Sequence, residues 1–393
     1  MKQKSMADLQ RAAVNGPVVI LHAGVSSCCA LVLKVSGEVH CVPLAKEITL
    51  RTVNGLAQCV KSLSTGSTPQ FESLLATLSP GRGHDSVVQN RLLGTIEGDV
   101  SPTDQFRTLL EILWSGIAAP VIRALGLKKS VSPSRLWWCP TGPFAFLPIH
   151  AAGIYSSEMC ESVADYVVSS YTPTLTALLT PPSIPSTVDN PLKVTAVIQP
   201  QTPDHSPLPY TADDFGTPQS PASVERVLAH LKTSSIVHFA CHGTQDPRNP
   251  LDSALLIGDG RLKVAQIMEQ SGASHDATEN YGQTGKGLVF LSACETAMGD
   301  TKVPDEAMHL AATLLFAGFR SVVATMWTMQ DPDGPEIAEA FYGHLFRNAD
   351  ATHPDAPVFP DTTDSAHALH LAVAKLRPKV PFARWVPFVH FGL

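Results

Sequence analysis

The sequence predicts an α/β fold, in which a mostly parallel β-sheet is covered by helices on both faces. Three observations lead to this prediction. From about residue 222 onward, short apolar runs alternate with stretches of helical periodicity, as in parallel sheets. These runs are apolar at nearly every position, which is typical of strands buried on both faces. The length of 393 residues predicts two domains or one large α/β unit, with enough material for a buried core.

Before residue 180, short apolar runs predict strands, and two longer stretches have helical periodicity. Two of the runs flank Ser36-Gly37, a two-residue signal for a β-hairpin. A segment rich in Ser, Thr, Gly and Pro, 64–102, lies between the two helices and is predicted to be mostly loop. The predicted elements are strands at 18–21, 29–35, 38–44, 135–139 and 166–171, and helices at 50–63 and 103–125.

Residues 181–221 contain ten of the 32 prolines and therefore predict an irregular connector, interrupted by one short strand at 192–198. Regular alternation follows. The predicted elements are strands at 235–241, 254–257, 287–293 and 320–327, and helices at 222–231, 264–270, 305–317, from about 331 to 345, and 366–376. We therefore expect an N-terminal lobe over 1–180, the connector over 181–221 and a C-terminal domain over 222–393.

The charge balance disfavours a nucleic-acid partner. The chain has 28 Lys and Arg against 35 Asp and Glu, a formal net charge of −7, and binding to a phosphate backbone requires clustered cations. The N-terminus has no apolar leader, so we expect a cytoplasmic protein. The longest apolar stretch, 307–327, is interrupted by His309, Gly318 and Arg320 and predicts a buried helix and strand rather than a membrane span.

We also expect neither a metal ion nor a cofactor. None of the eight cysteines forms a C-x-x-C pair, and the glycine motifs lack the spacing of nucleotide-binding loops. In a protein that is not secreted, such cysteines are usually reduced. His238 and His242 lie four residues apart on one face of a predicted strand and could ligate a metal, but no third ligand is close in sequence.

Two predicted strands end in residues capable of chemistry. One leads to His242-Gly243 and the other to Cys294, and the separation of 52 residues, 294 minus 242, accommodates a helical crossover. If the strands are neighbours, both residues face one cleft at the carboxyl edge of the sheet. An imidazole can ionise a thiol, and the N–H groups of Gly243 and Cys294 could stabilise an oxyanion. Each residue alone is more often a core residue, but the pair favours a catalytic site.

The residues around this pair resemble the signature blocks of CHAT domains, which are caspase-like, separase-related cysteine peptidases often found behind tetratricopeptide repeats. The matching segments are 238–243, 253–257, 259–260, 291–297, 299–300, 305–308, 322–327 with Asp331, and a closing strand at 385–389 with Gly392. The resemblance extends from about residue 105 to the C-terminus. The preceding segment resembles a degenerate, pseudo-caspase-like lobe.

The resemblance implies a caspase-like sheet and a thiol protease. His242 would be the general base and Cys294 the nucleophile, with the Gly243 and Cys294 amides forming the oxyanion hole. Asp331 would bind an Arg or Lys side chain of the substrate, and its alternative role is to cap the helix that begins at Pro332. Ser292 would form the floor of the same pocket, and Trp327 would form a wall of it or belong to the core.

We therefore hypothesise a regulated cysteine endopeptidase that cleaves protein substrates after a basic residue. The pathway, cell-death or defence signalling, and a tetratricopeptide-repeat sensor or regulatory partner are implied by the resemblance alone. One alternative is a catalytically silent scaffold that binds proteins, and another is a small-molecule cysteine amidohydrolase. The sequence departs from the family upstream of the His242 strand, where 208–214 matches the expected Leu-Pro motif only approximately.

Overall fold

The computed structural model describes residues 4–25, 27–67, 101–156, 158–179, 192–211, 222–244, 246, 249–272, 287–292, 310–348 and 360–393. This part of the chain divides into two units. The first comprises the described residues up to Thr176 together with Pro381–Val386. The second comprises the described residues from Ala177 to Val380 together with Pro387–Leu393.

Helices and strands are numbered in chain order. The helices are α1 (Met6–Gln10), α2 (Leu50–Ser64), α3 (Pro102–Leu113), α4 (Ala119–Leu125), α5 (Val224–Thr233), α6 (Val264–Gly272), α7 (Leu310–Phe316), α8 (Asp333–Leu345), α9 (Ser365–Leu376) and α10 (Phe382–Trp385). The strands are β1 (Val18–Ala23), β2 (Cys28–Leu33), β3 (His40–Pro43), β4 (Ser134–Pro140), β5 (Gly153–Tyr155), β6 (Cys160–Ser162), β7 (Val167–Tyr171), β8 (Val194–Ile198), β9 (Ile236–Ala240), β10 (Gly243–Thr244), β11 (Ala254–Ile257), β12 (Gly260–Lys263), β13 (Leu288–Ser292), β14 (Ser321–Thr325) and β15 (Phe388–Gly392).

The first unit contains strands in the order β3-β2-β1-β4-β7. The β2–β3 pair is antiparallel, which confirms the predicted strand pairing, but its register ends at Val32 and His40, so the connection is longer than the predicted two residues. The β1–β2 pair is also antiparallel. Gly37 in the turn has a φ of 93°, a left-handed conformation that glycine adopts without steric cost. The β4 strand lies parallel to both β1 and β7.

A helical interruption separates α3 from α4. Residues 114–118 form one π-helical turn, and Pro120 follows in the first turn of α4. Proline has no N–H to donate to the carbonyl four residues before it, and its ring clashes with that carbonyl. The displaced Gly116 carbonyl instead accepts the Ala45 N–H at 3.1 Å. The single helix predicted over 103–125 is therefore two helices and a π turn.

Among the described residues, the stretch Pro102–Leu125 is long and apolar enough to cross a membrane. In the structure 67% of its most apolar window is buried, as is typical of a core helix. The stretch packs on α2 and β5 within the first unit.

His150 belongs to a buried hydrogen-bond network in the first unit. Its Nε2–H donates to the Val386 carbonyl at 2.9 Å, and its Nδ1 lies 3.0 Å from the Tyr171 hydroxyl. The Tyr171 hydroxyl also accepts the backbone N–H of His150 at 3.1 Å. Burial lowers the pKa of His150 to about 4, although the bond to the Val386 carbonyl opposes this shift. The imidazole is therefore neutral in the folded state near neutral pH.

The second unit contains strands in the order β15-β14-β13-β9-β8. The β8, β9, β13 and β14 strands are parallel to one another, and β15 is antiparallel to β14. Every residue of β9, β13 and β14 is buried, as predicted for strands covered on both faces. The predicted fold, a mostly parallel sheet flanked by helices, is confirmed.

The described bounds of two elements in the C-terminal half, the closing strand and the helix before β14, differ from those predicted. The closing strand begins at Phe388 rather than at the predicted Trp385, which is the last residue of a short helix, Phe382–Trp385. The predicted helix 305–317 is described only as Leu310–Phe316. Most of the predicted loop 64–102 and parts of the connector lie outside the described residues.

Candidate active site

The strands that lead to His242 and Cys294 are neighbours. The β9 and β13 strands are parallel, and their register pairs Ala240 with Ser292. His242 follows Ala240 by two residues, and Cys294 follows Ser292 by two residues. The strand adjacency that the dyad requires is confirmed. Cys294 lies outside the described residues, so the dyad itself stays a prediction.

The imidazole of His242 is held by a backbone carbonyl. Its Nε2 lies 2.9 Å from the carbonyl oxygen of Ser206. Because a carbonyl only accepts, Nε2 carries the hydrogen, and in the neutral ring Nδ1 then has the lone pair. Nδ1 has no hydrogen-bond partner in the described part of the chain. The ring therefore presents one nitrogen that can take a proton.

The Ser206 carbonyl belongs to loop 199–211, which follows β8. Its first turn is closed by a hydrogen bond from the His205 N–H to the Thr202 carbonyl, with Pro203 and Asp204 at its centre. Asp204 has a φ of 61°, and proline followed by a residue of positive φ is the signature of a type II turn. The turn places the His205 ring beside the His242 ring, with 5.0 Å between their centroids.

The same loop contacts Asp331. The backbone N–H of Tyr210 donates to Oδ2 of Asp331 at 3.1 Å. The alternative role of Asp331, capping the helix that follows, stays a prediction. The N-cap of α8 is Pro332, and no side-chain hydrogen bond is formed at that position.

The other predicted pocket residues are buried. Ser292 is 7% exposed, and its Oγ has no hydrogen-bond partner among the described residues. This oxygen is 3.8 Å from the point that a Cβ would occupy on Gly334. The Gly334 N–H in turn donates a hydrogen bond to the Asp331 carbonyl at 3.3 Å. Ser292 therefore lies near the start of α8, and Asp331 is two residues before the first residue of that helix. Trp327 is 3% exposed, and its role in a pocket wall stays a prediction.

Gly243 begins the short strand β10, which pairs with β11. The carbonyl of the preceding His242 accepts the Leu256 N–H at 2.8 Å, so the backbone at the candidate base is fixed by the β10–β11 hairpin. The oxyanion role of Gly243 stays a prediction, since the other predicted donor, Cys294, is outside the described residues.

His238 and Cys241 have packing environments. The His238 ring stacks on Phe290 at 4.8 Å with an interplanar angle of 8°, and its Nδ1 lies 3.0 Å from the Tyr342 hydroxyl. Cys241 is 1% exposed. His238 and His242 thus have different partners, and the described residues contain no group of three potential metal ligands.

Comparison with known proteins decides the family. The family model for the CHAT domain matches residues 107–392, which is more than half of the chain. The chain belongs to the CHAT domain family. No curated protein matches it.

Two solved structures share the fold of this CHAT protein. Two crystal structures of the Saccharomyces cerevisiae separase–securin complex match with TM-scores of 0.53 and 0.52 at 12% identity, covering 98% of this chain and 30% of the matched chain. The chain thus spans less than a third of that separase-complex chain. The crystal structure of the Arg specific cysteine proteinase gingipain R matches with a TM-score of 0.41 at 12% identity, covering 66% of this chain and 62% of the gingipain chain. At this identity the separase match shows a common fold alone.

Sequence reasoning missed the two backbone groups of the CHAT site, the carbonyl of Ser206 and the N–H of Tyr210. Residue type does not encode a backbone contact, and the bond between Ser206 and His242 spans 36 residues of chain. Two signals were available in the sequence. Pro203-Asp204 is a turn dipeptide, and the approximate Leu-Pro motif at Leu208-Pro209 lies between the two contacts.

The positive φ of Asp204 gives a first testable prediction. We expect Asp204→Gly to keep the turn and Asp204→Val to destabilise it by about 1–2 kcal/mol, because a β-branched residue is strained in the left-handed region. Amide hydrogen exchange of 199–211 measures the difference. Faster exchange in the valine variant alone is expected, and equal exchange in both variants would contradict the turn assignment.

Proposed function

We propose that this CHAT protein is a cysteine endopeptidase that uses His242 as the general base and Cys294 as the nucleophile, and that it cleaves after a basic residue. The observation that carries the proposal is the in-register pairing of β9 and β13, from which His242 and Cys294 are each two residues away. The bond from His242 to the Ser206 carbonyl supports it, because it leaves Nδ1 as the proton acceptor.

The chemistry proceeds in two stages. The thiol of Cys294 gives its proton to Nδ1 of His242, and the thiolate adds to the scissile carbonyl to form a carbon–sulfur bond. The N–H groups of Gly243 and Cys294 stabilise the oxyanion. The imidazolium then protonates the leaving amine as the carbon–nitrogen bond breaks. Water hydrolyses the resulting thioester, which restores the thiol and releases the acid.

Two features support a basic preference. The Asp331 carboxylate is tied to the loop that also holds His242, so a substrate cation bound there lies close to the candidate base. The Ser292 hydroxyl is buried without a partner among the described residues, which costs about 1–3 kcal/mol unless a ligand satisfies it. A guanidinium or ammonium group donates hydrogen bonds that suit both oxygens.

A covalent probe tests this proposal. Peptidyl acyloxymethyl ketones react when a thiolate displaces the carboxylate, and the probe is made with arginine or with uncharged norleucine at the position before the reactive group. We expect the arginine probe to label Cys294 at least about tenfold faster than the norleucine probe, because an opposite charge in the pocket favours the encounter. Mass spectrometry of tryptic peptides locates the adduct.

Cleavage of a peptide library provides the matched control. Cys294→Ala is expected to remove cleavage. Cys241→Ala, which changes a buried cysteine directly after β9, is expected to keep it. Equal residual cleavage by wild type and Cys294→Ala would refute the peptidase. Partner binding without probe labelling would favour the scaffold alternative. The signalling role, the cytoplasmic location and a tetratricopeptide-repeat partner belong to the same proposal.

A further inference from the structure

One short loop bonds two candidate active-site residues at once. In loop 199–211 the Ser206 carbonyl accepts the His242 Nε2–H, and four residues later the Tyr210 N–H donates to Asp331. We propose that Asp331 is a positioning residue for the general base: acting through Tyr210 and Ser206, its carboxylate holds the His242 imidazole in one tautomer and orientation. The catalytic meaning of this inference rests on the proposed function.

The connection between the two bonds is short and stiff. Three residues, Pro207, Leu208 and Pro209, separate Ser206 from Tyr210, and each proline ring fixes its own φ. Leu208 is held at both ends: its N–H donates to the Pro200 carbonyl at 2.9 Å, and its carbonyl accepts the Thr211 hydroxyl at 2.8 Å. The segment between the two bonds is therefore stiff, and we expect a displacement at Tyr210 to change the position of the Ser206 carbonyl.

Holding the loop and binding a substrate cation are compatible roles for one carboxylate. An ionised carboxylate has two oxygens with about four acceptor positions, and Tyr210 takes one position on Oδ2. The two roles depend on different properties of the side chain. Cation binding needs the negative charge, whereas the bond to Tyr210 needs only an acceptor oxygen. Asp331→Asn removes the charge and keeps an acceptor, while Asp331→Ala removes both.

The first readout is the tautomer of His242, measured by long-range ¹H–¹⁵N correlation spectra of protein labelled at histidine. His242→Gln identifies the signal by its loss. We expect a single Nε2–H tautomer in wild type and Asp331→Asn, and a mixture of tautomers in Asp331→Ala. Glu336→Ala, which removes a different carboxylate from the first turn of α8, is the control and is expected to give the wild-type spectrum.

The second readout is the turnover of a substrate with an uncharged residue before the scissile bond, because such a substrate makes no use of the Asp331 charge. We expect kcat to fall about tenfold to a hundredfold further in Asp331→Ala than in Asp331→Asn, as for a base displaced by a fraction of an ångström. A residue that only selects substrates would give equal kcat values in the two variants.

The two readouts separate failure of this inference from failure of the proposed function. If wild type cleaves no peptide while Asp331→Ala alone loses the single tautomer, the positioning role of Asp331 is supported and the proposed peptidase activity is refuted. An unchanged tautomer in Asp331→Ala overturns the inference, whatever the activity. Should Asp331→Ala fold poorly, Tyr210→Pro removes the donor of the same bond, and an unchanged tautomer in that variant overturns the inference equally.

Discussion

Replacing His242 by alanine is expected to lower kcat/KM for peptide cleavage at least about 1,000-fold. Without the imidazole, no group at this position takes the thiol proton or protonates the leaving amine, and removal of a catalytic base commonly has an effect of this size. Steady-state kinetics with a peptide that carries arginine before the scissile bond measure the loss. Circular dichroism shows whether the variant is folded.

His230→Ala is the matched control, since His230 lies in the last turn of α5 and takes no part in the candidate site. It is expected to change kcat/KM by less than about tenfold. The double variant His242→Ala, Cys294→Ala is expected to lose no more activity than either single variant, because the two residues act as one unit. If the loss of activity in the double variant equalled the product of the two single losses, a shared role of His242 and Cys294 would be contradicted.

Lowering the pH to 5 is expected to destabilise the first unit by about 2 kcal/mol through His150 alone. Burial lowers the pKa of this side chain from 6.5 to about 4, so the folded state binds its proton less readily than the unfolded state. The contribution to stability is complete above pH 6.5 and is lost progressively as the pH falls toward 4. One unit of pKa difference corresponds to about 1.4 kcal/mol.

Urea unfolding at pH 7.5 and pH 5, followed by tryptophan fluorescence, measures this effect. Four of the five tryptophans, Trp114, Trp137, Trp138 and Trp385, lie in the first unit. We expect the free energy of unfolding of His150→Gln to depend less on pH than that of wild type, by about 2 kcal/mol between these two values. His22→Gln, at an exposed histidine of the same unit, is the control. Identical pH dependence in wild type and His150→Gln would exclude the mechanism.

The sequence predicted the parts of the fold that depend on side-chain periodicity. The apolar runs before His242 and Cys294 are β9 and its neighbour β13, because short apolar runs bounded by loop residues favour strands buried on both faces. The interruption of the helix near Pro120 was not predicted, although a proline inside a helical pattern signals such a break. The Gly116 carbonyl accepts a hydrogen bond from the Ala45 N–H instead. These two residues are distant in sequence, so no local sequence signal predicts the bond.

In the candidate site, side chains were predictable from the sequence and backbone contacts were not. Residue type at a strand end pointed to His242, whereas Asp331 was predicted from the family resemblance alone. Their contacts with loop 199–211 were not predictable, because they involve a carbonyl and an N–H, which nearly every residue has. The loop also lies in a proline-rich stretch without periodicity, where pattern gives no information on three-dimensional position.

The backbone contacts of loop 199–211 also determine which mutations the site tolerates. The side chains of Ser206 and Tyr210 take no part in the bonds to His242 and Asp331, so many substitutions at these two positions leave the bonds intact. Inserting or deleting one residue between them would instead shift the carbonyl and the N–H relative to each other, and both bonds could not form together. The site therefore constrains the spacing of the loop more strictly than its composition, and a scan of single-residue deletions would locate it where an alanine scan would not.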